Sequence, residues 1–351
     1  MWPSTTSVAK HLWGLGAAVV VLEACGGGAP VETVHTGEVQ GTTYTIRYWG
    51  TDSVPQSHFD AVFAEVDAAV NLWDSTSCVS VLHGVPADSA LQCADGAAVF
   101  AALWPLCDSL HAASEGRFDP TVGSLVRFWK SSDGDTTGLS TARAFVGWDA
   151  GYVKWDGRTL KRASTEVLLD FNAVAQGYTV DRVMEVLRAA GVQHAMVEIG
   201  GEVRCAGVNP GGEPWRIGIE RPDSDPATGR TYEAVVPVAD QAVCTSGSYR
   251  KFREVNGVRL SHAIDPLTGK PVEHGLLSVT VAARTAALSD GLATALLVAG
   301  LPEAERLVAR LQQDHPEWGV AALFIEADGA GYRHSATEGW KQGFEWTAKA
   351  E

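Results

Sequence analysis

The sequence predicts an α+β fold, a single domain with mixed, largely antiparallel sheets and flanking helices. Three observations lead there. Helical and strand patterns are interleaved without the strict alternation of a doubly wound parallel sheet. Several strand pairs are joined by short glycine turns, as hairpins are. No G-x-G-x-x-G, P-loop or G-x-S-x-G stretch occurs, which argues against a dinucleotide-binding dehydrogenase, a P-loop NTPase and an α/β-hydrolase.

Taken in order, residues 1–24 read as an export signal. Lys10 precedes an apolar run, Leu12 to Leu22, shorter than a permanent membrane span requires. Leu22, Glu23, Ala24 and Cys25 then resemble a bacterial lipobox, in which cleavage leaves a lipidated cysteine as a membrane anchor. The alternative is an ordinary cleaved signal peptide. Gly26 to Gly28 open a flexible tether over residues 25–33, and the folded domain is expected over residues 34–346. The lipobox reading puts the protein on the periplasmic side of a bacterial membrane.

Val34 to Trp49 alternates, predicting two strands around Gly41. A helix from Ser57 to Leu72 gathers Phe59, Val62, Phe63, Val66 and Val70 on one face. Another runs from Ala97 to Ser114. The loop Arg117 to Gly123 carries an aspartate before proline, which favours an extended or turn conformation; Gly134 to Gly138 is a polar linker. Asp170 to Gly177, DFNAVAQG, is placed between a strand and a helix whose apolar positions are Val180, Val183, Met184 and Leu187. Backbone N–H groups at such a turn meet anions, although many turns of this kind bind nothing. Met196 to Gly207 is a Gly-Gly hairpin, and Trp215 to Pro222 and Ala242 to Phe252 read as further strands. Leu276 to Ala283 is a buried strand rich in β-branched residues. The helix after it has Ser289 or Asp290 as N-cap, apolar Leu292, Ala295, Leu296 and Ala299, and a stop at Gly300. Pro302 to Leu311 and Val320 to Glu326 add a last helix and strand.

With 351 residues, 46% hydrophobic and 20% charged, the chain has enough apolar material for a sizeable core. A net charge of −15 excludes nucleic acid as a bulk partner but leaves room for a single nucleotide held through a metal. Beyond Cys25, Cys78, Cys93, Cys107, Cys205 and Cys244 include no C-x-x-C pair, so zinc spacing is absent. They read as small buried hydrophobes, with a disulfide among the first three left open.

Two constellations carry chemistry. Asp290 and Thr294 stand at i and i+4, so their oxygens share one helix face and suit a seat for Mg²⁺; the plainer reading is a cap followed by filler. His262 and Asp265 open a turn through Pro266, Thr268 and Gly269, where the histidine on its own reads as structural.

Seven stretches in order resemble one family. They are Gly41-Thr42-Thr43-Tyr44, FDPTVG from Phe118, DFNAVAQGYTVD from Asp170, IGGEVRCAG, TSGSYRKF, SHAIDPLTGKPVEH and SDGLATA. Together they are similar to the ApbE family of FAD:protein FMN transferases, over about Val34 to Ala327. The resemblance implies that FAD is the substrate, that Mg²⁺ is required, and that FMN passes to a Thr or Ser hydroxyl of an acceptor flavoprotein with release of AMP. Acceptors of that family include subunits of electron-transfer complexes. By motif position, Asp290, Thr294 and the carbonyl of Ala173 are metal ligands. Arg117, Phe118, Asp119, Asp170, Gln176 and Ile264 line the FAD site, and His262 is the base on the acceptor hydroxyl.

The chain departs from the family pattern at three places. Gln40, counted with the FAD site, stands where many members have methionine. Leu72 to Ser77 replaces a stretch that carries a flavin-stacking tyrosine, with Trp73 as its aromatic residue. Ala293 stands where some members have a second acidic residue. Two other functions stay open, an FAD-binding lipoprotein and a metal-dependent FAD pyrophosphatase.

Overall fold

The computed structural model describes residues 31–224, 231–248, 252–255, 258–329 and 331–344. The export signal, Cys25 and the tether as far as residue 30 lie outside the described residues, as do Tyr249 to Lys251 of the TSGSYRKF stretch. No helix among the described residues is long and apolar enough to cross a membrane.

The chain opens with the expected hairpin, β1 (Glu32–Val39) and β2 (Thr42–Trp49). Glu32 and Thr33, assigned to the tether, are already in β1, where Arg47 reaches across the pair to the Glu32 carboxylate at 2.5 Å. Helices α1 (Gln56–Val70), α2 (Cys78–Gly84), α3 (Ala97–Ala113), α4 (Gly123–Ser131) and α5 (Leu139–Arg143) follow, with β3 (Leu91–Gln92) between α2 and α3. β4 (Val153–Trp155) and β5 (Thr159–Arg162) complete a small sheet of order β3–β5–β4. Then come α6 (Ala175–Ala189), β6 (His194–Ile199), β7 (Glu202–Ala206), β8 (Trp215–Glu220), β9 (Tyr232–Val238) and β10 (Ala242–Gly247). The ribbon of β11 (Phe252–Val255) and β12 (Val258–Ser261) leads to β13 (Leu276–Ala283), α7 (Ala286–Ala299), α8 (Leu301–Asp314), β14 (Ala321–Asp328), β15 (Gly331–Ala336) and α9 (Glu338–Gly343).

Eight strands form the main sheet, in the order β1–β2–β6–β7–β10–β13–β14–β15, with every neighbouring pair antiparallel. Alternation along the strands sorts side chains to two faces. Val279 and Val281 of β13 join the helical layer of α3, α7 and α8, whereas Ala282 joins Trp215, Val236 and Trp340 on the other face. Because β13 is covered on both sides, its sequence reads as one apolar run rather than an alternation. Burial of each Val or Leu there contributes about 1.5–3 kcal/mol.

Three expected elements differ. The N-cap of α7 is Thr285, whose hydroxyl accepts from Leu288 N–H at 3.4 Å, so Ser289 and Asp290 lie one turn inside the helix. Asp181 of α6 supplies the rest of the cap from outside, accepting from Ala286 and Ala287 N–H at 2.9 Å each. Ser289 instead ties α7 to the sheet, donating to the Val281 carbonyl and accepting from Cys244 N–H. The strand expected from Ala242 to Phe252 ends at Gly247, and Phe252–Val255 belongs to a separate ribbon. Before DFNAVAQG there is one parallel bridge, Leu168 to Val122, rather than a strand, because the neighbouring chain turns at once into α4.

Candidate active site

The glycine turn of the β6–β7 hairpin, the β1–β2 turn and the start of α6 meet at one end of the sheet. Gly200 and Gly201 hold φ of 65° and 108°, a left-handed pair open to glycine at little cost. A side chain on Gly200 would strike Thr42 and Gln176 at 2.9 and 3.1 Å, so Gln176 lies directly against this turn. Gln40, at φ 51° in the β1–β2 turn, donates from Nε2 to the Thr179 hydroxyl on α6 at 2.9 Å. Its Oε1 is buried without a hydrogen-bond partner among the described residues, an acceptor available to a ligand.

Helices α6 and α7 touch at Gly177. A Cβ there would lie 2.4 Å from the Ala286 carbonyl and 2.8 Å from Asp290 Cβ, so only glycine permits the approach. The contact lets Asp290 Oδ2 accept from Gly177 N–H at 3.0 Å. Asp290 is 5% exposed, and Thr294, one turn further, shares a 3.0 Å hydrogen bond with the Ser246 hydroxyl of β10. Burial, and after it the charge of Glu202, push the Asp290 carboxyl well above the usual range, while the Gly177 N–H works the other way. The helix N-terminus that favours its anion is thus that of α6 rather than its own, and it does not outweigh the burial.

A cation beside Asp290 would reverse this balance and hold the carboxylate ionised. Among the described residues no three His, Cys, Asp or Glu side chains are grouped to hold a metal ion. The Asp290 carboxylate and the Thr294 hydroxyl are oxygens one turn apart on α7, and the carbonyl of Ala173, four residues before Gly177 in sequence, is the third oxygen of the expected set. That all-oxygen set fits a hard cation completed by substrate oxygens.

The loops of RFDPTVG and DFNAVAQG are laced together. Asp170 N–H donates to the Pro120 carbonyl at 2.7 Å, and the Ser124 hydroxyl donates to the Glu166 carbonyl while accepting from Leu168 N–H. Asp170, with burial raising its carboxyl, accepts from Asn172 N–H at 2.9 Å. Asp119 accepts from the Thr121 N–H and hydroxyl and from Trp148 N–H, so its carboxylate builds the loop. The Phe118 ring belongs to the core. Arg117 pairs with Glu303 of α8 at 2.8 Å.

His262 is exposed and leads into a tight turn in which Ile264 is buried and bridged to Pro271. Asp265 braces the turn, accepting from Leu267 N–H at 2.9 Å and from the Thr268 hydroxyl at 2.8 Å. Trp129 of α4 donates to the Gly269 carbonyl at 2.7 Å, and Arg143 of α5 to that of Leu267 at 2.6 Å. Leu267 lies against Gly116, close enough that a side chain on that glycine would meet it at 3.2 Å. The turn is thus docked beside the RFDPT loop.

The structure therefore gathers two groups. Gln40, Gln176, Asp290 and Thr294 surround the start of α6, while Arg117 to Asp119, Asp170 and Ile264 belong to the interlaced loops. Trp73 is 78% exposed on the turn after α1. Sequence reasoning missed Asp181, which caps α7 and pairs with Arg204 at 2.6 Å, although a charged residue between Val180 and Val183 was a visible signal. It also missed Arg162, 1% exposed, whose guanidinium donates to the carbonyls of His83, Val85, Thr165 and Val167. His83 accepts in turn from Leu169 N–H at 2.9 Å. These two residues hold the approach to Asp170.

Known proteins are similar to this chain in sequence and in fold. The FAD:protein FMN transferase of Vibrio cholerae is 33% identical over 340 residues, covering 93% of this chain and 96% of its own. That of Haemophilus influenzae is 34% identical over 282 residues, 76% of this chain and 80% of its own. The solved flavinyl transferase ApbE of Pseudomonas stutzeri in its apo form superposes with a TM-score of 0.76 at 32% identity, over 91% of this chain and 99% of its own. The flavin transferase ApbE of Vibrio cholerae gives 0.75 at 28% identity, over 90% and 99%. The model of the ApbE family matches residues 40–317, and with relatives this similar over most of its length the chain belongs to the ApbE family.

Proposed function

We propose that this protein is an Mg²⁺-dependent FAD:protein FMN transferase. It takes FMN from FAD, attaches it to a Thr or Ser hydroxyl of an acceptor flavoprotein subunit of an electron-transfer complex, and releases AMP. It works from the periplasmic side of a membrane, anchored by a lipidated Cys25. The observation that carries the reading is the buried Asp290, held on the Gly177 N–H at the start of α6 with Thr294 one turn away. A buried carboxyl beside Glu202 and Asp181 is costly unless a ligand rewards it.

Mg²⁺ held by Asp290, Thr294 and the Ala173 carbonyl would supply neutralising charge at the FAD pyrophosphate. The protein's own residues do the rest. Gln40 offers a buried acceptor to an N–H of the ligand, and Gln176 flanks the same turn. His262 takes the proton of the acceptor hydroxyl as its oxygen bonds to the FMN phosphorus and the P–O bond to AMP breaks. The Asp265 brace and the Trp129 and Arg143 hydrogen bonds fix the backbone that carries the imidazole.

Incubation with FAD, Mg²⁺ and an acceptor domain, followed by weighing the acceptor, tests the reading. Transfer adds the mass of FMN and yields AMP in equal amount. Free FMN with AMP and an unchanged acceptor would make the protein a pyrophosphatase, and unchanged FAD would make it a binding protein. Separately, Cys25→Ser should move the protein from membrane to soluble fraction on cell fractionation.

A further inference from the structure

Two of the five described thiols are neighbours. Cys78 opens α2 and Cys93 follows β3, fifteen positions later in sequence. Both segments are moored to β5. Leu91 pairs with Leu160, Asp88 N–H donates to the Arg162 carbonyl at 2.8 Å, and the Arg162 guanidinium binds the carbonyls of His83 and Val85 at the end of α2. That mooring returns the chain so that Cys78 and Cys93 line the wall of a single cleft of about 600 Å³, with their thiols close enough to interact. By contrast Cys107, Cys205 and Cys244 are buried in three separate parts of the core.

We propose that Cys78 and Cys93 are a dithiol that closes to an intramolecular disulfide by exchange with a small disulfide such as oxidised glutathione. Cys78 is half-buried and Cys93 is 1% exposed, so Cys78 is the thiol an oxidant reaches first. The interaction between the two thiols lowers Cys78 from its ordinary value and raises Cys93, and burial raises Cys93 further. The Cys78 thiolate attacks one sulfur of the oxidant and expels a thiolate, leaving a mixed disulfide. Cys93 then gives up its proton and attacks Cys78 Sγ, expelling the second thiol. Two protein thiols are oxidised and one disulfide is reduced to two thiols. The new bond pins the start of α2 to the approach to α3, and stability rises because the unfolded chain loses loop freedom.

The test uses the full chain, reduced and then equilibrated in glutathione buffers of graded ratio. After acid quenching, free thiols are alkylated in denaturant and peptides are mapped without reduction, Cys25 being read from its own peptide. The expected result is one linked peptide pair, Cys78 with Cys93, while Cys107, Cys205 and Cys244 are alkylated throughout. The oxidised protein should melt several degrees above the reduced one, a difference absent in Cys78→Ser and in Cys93→Ser. Cys93→Ser should accumulate glutathione on Cys78, since the resolving thiol is gone. Alkylation of both residues at the most oxidising ratio, linkage of either to another cysteine, or a Cys93→Ser protein without glutathione on Cys78 would overturn the proposal.

Discussion

The Asp290 wall and the His262 turn are built in opposite ways. Asp290 is 5% exposed, set by the contact of α6 with α7, and its partner N–H comes from a residue 113 positions away. His262 is exposed, and the turn it opens is braced locally by Asp265 through the N–H of Leu267 and the hydroxyl of Thr268. A buried carboxylate that burial disfavours suits a task performed with ligand bound. An exposed imidazole on a stiff turn suits a partner that arrives from solution. Under the proposed function, metal and substrate pyrophosphate belong to the wall and proton transfer to the turn.

The largest effect should come from emptying the wall of charge. Asp290→Asn keeps an acceptor for Gly177 N–H but removes the anion, and should lower Mg²⁺-dependent transfer by about 10³-fold. Because Glu202 and Asp181 already oppose that charge, its melting temperature should be unchanged or higher. A lower melting temperature with full activity would make Asp290 a structural residue. Next, Gly177→Ala should cost about 2–3 kcal/mol in denaturant unfolding, because the added Cβ meets backbone rather than a movable side chain.

Acid should affect the interlaced loops beside the wall through His83. Burial, then the charges of Arg162 and Arg127, bring its pKa from 6.5 down to about 4. As pH falls the unfolded chain takes up this proton first, so the stability contribution is complete above 6.5 and lost between 6.5 and 4. His83→Gln, which can still accept from Leu169 N–H, should lose about 2 kcal/mol less than wild type between about pH 8 and pH 5. Equal losses in chemical denaturation at the two pH values would contradict the buried neutral ring. The smallest effect is expected at the turn's brace. Asp265→Ala removes two short hydrogen bonds and should cost about 1 kcal/mol while slowing transfer about tenfold at unchanged FAD affinity.

The two regions were not equally legible in the sequence. Strands β1, β2, β6, β7 and β13 and helices α1, α3, α6 and α7 followed from periodicity and glycine turns, because their faces meet a core of one polarity. The placing of Asp290 and Thr294 on one helix followed from their i,i+4 spacing, which on its own read as a cap followed by filler, and their expected role as ligands came from the family resemblance. The surroundings of the pair were not legible, since Gly177, Asp181, Glu202 and Ser246 reach it only through tertiary contacts between distant segments. The N-cap of α7 was misplaced for the same reason, Asp181 being a cap supplied by another helix. Arg162 was hidden because a buried guanidinium satisfied by four carbonyls leaves no acidic partner to notice in the sequence. The His262 turn needed less, as Asp265, Pro266 and Gly269 spell out its geometry locally.

The division between wall and turn is tested most directly by measuring two quantities on one variant. For His262→Ala, Mg²⁺-dependent FAD affinity is followed by flavin fluorescence, and covalent labelling of the acceptor by mass spectrometry. FAD affinity should stay within about twofold of wild type while labelling falls by about 10²–10⁴-fold. A loss of affinity that accounts for the loss of labelling would place His262 in the binding site and contradict the division, as would labelling at the wild-type rate.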